Sequence, residues 1–117
     1  MQSLQNKLMR VRDALVSVTA KTYHYRRPST VQKEYIVWAE DSEDASFNAD
    51  NRKAEQQIHG TIDYFTQKEF DPLIDGIQNA LDEARVSFRL NAVDYEDDTK
   101  LIHYEWEFWA VRYGLQS

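Results

Sequence analysis

The side chains with the most suggestive spacing lie in an acidic stretch between two hydrophobic runs. Counting Asp44 as one, Ser46 is three, Asn48 five, Asp50 seven, Arg52 nine and Glu55 twelve, approximating an EF-hand calcium loop. A hard cation needs oxygen ligands, and these residues can supply several. Three features count against it. Position six is Ala49 where the sharp turn needs glycine, position nine is a cation, and the flanking runs have strand character. A solvated loop is the simpler reading, and no metal or cofactor is expected.

His24, His59 and His103 share no ligand spacing, and no His-Glu-x-x-His set occurs. Glu105 and Glu107 fall on one strand face about 7 Å apart, a separation compatible with paired acid–base work. With His103 they define the rival reading, a small metal-dependent hydrolase. An ordinary wet face is the favoured explanation of them, and no serine lies in an elbow motif. An enzyme is therefore disfavoured. Tyr25, Arg26 and Arg27 belong to an aromatic–cation run beginning at Tyr23. Such runs can stack on bases, but this one is short in a chain of formal net charge −6, which argues against a phosphate-binding face. Tyr and Arg are enriched at protein contacts, so an interface is expected there. A small acidic module that binds a host protein is a further alternative.

The elements that must position these groups are readable. At 117 residues, 42% apolar and 29% charged, the chain has the composition of one globular domain spanning 1–117. No apolar run approaches the ~20 residues of a membrane span, and the amphipathic start does not resemble a signal peptide. With no cysteine, disulfides, thiolate catalysis and zinc–sulfur sites are excluded, which suits synthesis in a cytoplasm. Three Gly and two Pro leave no material for a phosphate-cradling loop.

Leu4, Leu8, Val11, Leu15 and Val18 make the stripe of a helix from about Ser3 to Ala20, with Ser3 as N-cap. Residues 21–33 contain Pro28 and read as an irregular connection. Glu34–Glu40 is a strand, 41–57 a long loop, and Ile58–Phe65 a second strand that pairs with the first as a hairpin. Asp71-Pro72 starts a helix that runs to about Arg85, with Leu73, Ile77, Ala80, Leu81 and Ala84 inward. Gly76 inside it suggests a close backbone approach. Val86, Phe88, Leu90 and Ala92 alternate as a third strand, and Asp94–Thr99 is an acidic turn. Ile102, Tyr104, Trp106, Phe108 and Ala110 then alternate with His103, Glu105 and Glu107 in a closing strand that supplies much of the core. The order α-β-β-α-β-β predicts an α+β fold, a four-stranded, mainly antiparallel sheet with two helices packed on one face.

Three stretches carry a resemblance: Tyr35-Ile36-Val37-Trp38 leading into acids, Phe47-Asn48-Ala49-Asp50-Asn51, and Ile62-Asp63-Tyr64-Phe65-Thr66-Gln67-Lys68. With the helix after Asp71 and the aromatic–acidic closing strand, they resemble the tail completion or head–tail joining proteins of long-tailed bacteriophages and prophages. The tail terminator proteins are close to these in architecture. The resemblance covers roughly residues 30–110. It implies a structural virion protein that forms a ring, generally a hexamer, between head connector and tail tube, with no enzymatic activity and no cofactor. Partners would be other copies of the chain and the connector and tube proteins. Genomic DNA would pass without specific binding, since an acidic lining repels it. The segment corresponding to Phe47, Asn48, Asp50 and Asn51 is expected at a subunit or partner contact. Phe47 is the lone large apolar residue of its loop and needs a pocket.

Overall fold

The computed structural model describes residues 3–44 and 56–111. α1 (Leu4–Val18) begins where the Ser3 hydroxyl accepts the Asn6 N–H at 3.0 Å. It ends where Thr19 turns to extended backbone, its N–H still reaching the Leu15 carbonyl. Five strands and a second helix follow: β1 (Thr22–His24), β2 (Tyr35–Asp44), β3 (Gln57–Thr66), α2 (Pro72–Glu83), β4 (Ser87–Glu96) and β5 (Leu101–Ala110).

The strands form one sheet in the order β1-β2-β3-β5-β4. This corrects the expected four-stranded, mainly antiparallel sheet: the fold is α+β, but its sheet is five-stranded and mixed. The added strand is β1, which runs parallel to β2 with Thr22 opposite Ile36 and His24 opposite Trp38. Three residues leave no alternation to read, and their pairing partners lie a connection away rather than across a turn. The ladder is extended at both ends, by Ile36 N–H to the Lys21 carbonyl and by Tyr25 N–H to the Trp38 carbonyl.

All other pairings are antiparallel. β2 and β4 both run further than expected, into Asp41–Asp44 and Val93–Glu96. Each carries a register shift, between Glu40 and Ser42 and between Leu90 and Ala92. A bulge inserts one residue and moves all later side chains to the opposite face, so a period-two pattern stops at it although the strand does not.

One face of the sheet makes the core. Ile36 and Trp38, Ile62 and Tyr64, and Trp106, Phe108 and Ala110 pack with Val11 and Leu15 of α1 and Ile77 and Leu81 of α2. Burial of each large side chain is worth about 1.5–3 kcal/mol. Trp106 is fully buried and its Nε1–H is satisfied by Gln78 Oε1 at 3.0 Å. The close backbone approach is at Gly60, where a β-carbon would lie 2.3 Å from the Ala39 carbonyl oxygen and 2.6 Å from the Phe108 ring. At Gly76 the same atom would make an ordinary 3.5 Å contact with Val18.

α2 is anchored by a small buried network. Asp71 caps it through the Leu73 N–H at 2.9 Å and accepts both the Tyr64 and Thr66 hydroxyls at 2.7 Å. Burial works against the Asp71 charge, but these donors outweigh it and hold its carboxyl below the usual range. Among the described residues no helix is long and apolar enough to cross a membrane.

Candidate interaction surface

The second face of the sheet carries the ionisable residues, drawn together by cross-strand register. Thr61 lies opposite Glu107, and Glu107 opposite Arg89; Phe65 lies opposite His103, and His103 opposite Asp94. His59 Nδ1 is 2.7 Å from Asp41 Oδ1 and its Nε2 is 2.9 Å from Glu107 Oε1. Glu107 also accepts from the Arg89 guanidinium. Carboxylates only accept, so the His59 ring satisfies both at once only by donating from both nitrogens, as an imidazolium. Burial opposes that charge, but the bonds to Asp41 and Glu107 prevail and raise the His59 pKa. The His59 bond, against a smaller burial penalty, lowers that of Glu107, with Arg89 adding to it.

This arrangement differs from what the hydrolase reading requires. His103 engages Asp63 at 2.6 Å rather than Glu105 or Glu107, with Glu96 beyond at 3.6 Å. Ser42 donates to Asp41, the same carboxylate that holds His59, so its hydroxyl is not aimed at the imidazole. Among the described residues no group of three or more His, Cys, Asp or Glu is arranged to hold a metal ion. Asp44, first position of the calcium-like spacing, instead accepts the Trp109 Nε1–H at 2.6 Å. Ring stacking closes much of this face to water: Tyr35 on Phe65 at 4.8 Å, Phe65 on His103 at 4.2 Å, and Trp109 edge-on to His59 at 5.3 Å.

Of the residues expected at an interface, Tyr25, Arg26 and Arg27 are described, whereas Phe47, Asn48, Asp50 and Asn51 lie outside the described residues. The three do not form one cluster. Tyr25 leaves the end of β1 at φ 77°, stacks on His24 at 3.8 Å and donates its hydroxyl to Glu40. His24 in turn stacks on Trp38 at 4.1 Å and meets Glu40 at 2.7 Å. Burial raises the Glu40 pKa, but the two donors outweigh it and lower it overall. Tyr25 remains 59% exposed, an aromatic fixed in place at the sheet edge. Arg26 is exposed. Arg27 turns back, its guanidinium 5.5 Å from the centre of the Tyr35 ring and donating to the Val31 carbonyl at 2.7 Å. There it lines an 800 Å³ cleft with Lys21, Lys33, Tyr35, Glu96 and Thr99.

The other sheet edge offers a larger surface. β4 is ten residues long and among the described residues pairs with β5 alone, so one row of its backbone groups lies at the sheet edge. Leu90 just before its bulge and Val93 and Tyr95 beyond it are exposed on the helix-bearing side. Sequence reading placed Val93 and Tyr95 at or in an acidic turn; the only available signal was an apolar residue on every second position past Asn91.

No family model matches the chain, and no curated protein does. Among solved structures the chain is similar to one from the virion of a native gene transfer agent particle. The TM-score is 0.54 at 15% identity, over 96% of each chain, a likeness of fold.

Proposed function

We propose that this chain is a structural subunit of a phage-like particle, and that it completes the tail or joins it to the head connector as a member of a ring. The observation that carries this reading is the fold likeness to a chain of the gene transfer agent virion, which extends over 96% of both chains. The three stretches resembling tail completion and tail terminator proteins support it. So does the open β4 edge, since an unpaired strand with exposed apolar side chains is a template for a neighbouring protein. Several ionisable groups of the second face, His59, Glu107, Arg89, His103 and Asp63, are engaged with one another or with Asp41, which favours a structural over a catalytic role. Tyr25 at the β1 edge, Arg26 and Arg27 near it, and Phe47, Asn48, Asp50 and Asn51 are the proposed contact residues. The net charge of −6 suits a subunit that DNA passes without binding.

Gold-conjugated antibody against the protein, applied to purified particles, tests the placement. Label concentrated where head meets tail, or at the end of detached tails, is the expected result. Particles without label, and without the protein by mass spectrometry, would overturn it.

A further inference from the structure

The link between β3 and α2 presents an aromatic ring to solvent from a rigid mount. Thr66 donates to Asp71 at 2.7 Å and accepts the Lys68 N–H at 3.0 Å, while Gln67 N–H is held by Glu34 at 3.0 Å. Between these ties Phe70 sits at φ 55° and is 92% exposed. A hydrophobic residue just before a helix N-cap ordinarily packs on the fourth helical residue. Here that residue is Asp75, itself exposed, so Phe70 has no ring-sized partner on its own helix. A side chain displayed this way loses little conformational freedom on docking, the property of an anchor at an interface.

At the other end of α2 lies a groove that fits such an anchor. It is a 570 Å³ depression between α1 and α2 lined by Ala14, Ala80, Ala84 and the exposed Met9, with polar side chains, Arg10 and Asp13 among them, also at its wall. Small side chains leave room for a ring, and a methionine can close over it. Glu83 stands at the groove and Lys68 beside Phe70, both exposed and neither in an ion pair among the described residues. Each copy therefore carries an exposed aromatic knob with an exposed cation two residues before it, and a groove of mixed lining with an exposed anion at it. The twelve residues of α2 separate the two by about 18 Å, so one chain cannot satisfy itself.

We propose that Phe70 of one copy seats in the α1–α2 groove of a second copy, with Lys68 meeting Glu83. Knob and groove are different patches, so the contact runs head to tail and can close into a ring. It rests on the reading of the chain as an assembling subunit, and it adds which surfaces meet.

The chain has no cysteine, which allows a clean test. Lys68→Cys and Glu83→Cys proteins are mixed and oxidised, beside a control mixture of Lys68→Cys with Arg89→Cys on the opposite sheet face. The expected result is a covalent heterodimer formed at least tenfold faster in the first mixture. Adding Phe70→Asp to the Lys68→Cys chain should remove that preference without shifting its melting curve. Equal rates in the two mixtures, or an undiminished preference with Phe70→Asp, would overturn the contact. Phe70→Asp particles that fail to join, combined with equal cross-linking rates, would assign Phe70 to another virion protein and also overturn it. Loss of the virion role would leave the cross-linking result unchanged, so the two readings fail separately.

Discussion

His59 shows how a single side chain reports on the second sheet face. Its ring joins β2 to β5 through Asp41 and Glu107, and only the protonated form can make both bonds. Because its folded pKa is raised, the stabilisation is complete below the unfolded value of about 6.5 and is lost as pH rises through the folded value. The lowered pKa values of Asp41 and Glu107 act in the opposite sense, giving stability present above their unfolded values and lost on acidification. Thermal melts should therefore show stability falling as pH rises above the unfolded value of about 6.5, and His59→Gln should flatten that slope. A variant whose slope parallels the parent would show that another group titrates. Nothing in the sequence revealed this pairing. Alternation places His59 and Glu107 on polar faces, but the register of β3 against β5, and of β2 against β3 where Asp41 meets His59, is set by packing.

At the scale of elements, what was legible had either a strong period or a strong punctuation mark. β5 was readable because five apolar residues alternate from Ile102 to Ala110, and α2 because Asp71-Pro72 supplies a cap and a first-turn proline. β1 was not, being three residues held by parallel pairing, and the tails of β2 and β4 were hidden behind bulges. The β5 register is testable by urea melts. Trp106→Ala should cost about 3–5 kcal/mol by leaving a cavity beneath the helices. Glu105→Ala, on the other face, should stay within about 0.5 kcal/mol. The reverse order would mean the faces are exchanged. For the β4 edge, Val93→Glu should leave stability within about 0.5 kcal/mol, because the side chain is exposed, yet reduce the yield of joined particles. Unchanged particle yield, counted by electron microscopy, would remove this edge from the assembly.

The whole molecule is an acidic α+β subunit with a helix layer over one sheet face, an ionic face on the other, and contact features at its margins. Tyr25 lies at one sheet edge, Leu90, Val93 and Tyr95 at the other, and Phe70 projects from the turn before α2. Such a distribution suits a part held between neighbours, and on the proposed reading each contact would gain strength where a neighbouring virion protein presents several copies together. On the proposed reading the contact between free copies is transient, enough to direct cross-linking, and is made lasting by assembly. The most direct measurement is electron microscopy of lysates from a phage or prophage in which this gene is deleted and then restored. The account predicts filled heads and separate tails without the gene, and joined particles when it is supplied. Joined, infectious particles from the deletion strain would contradict it.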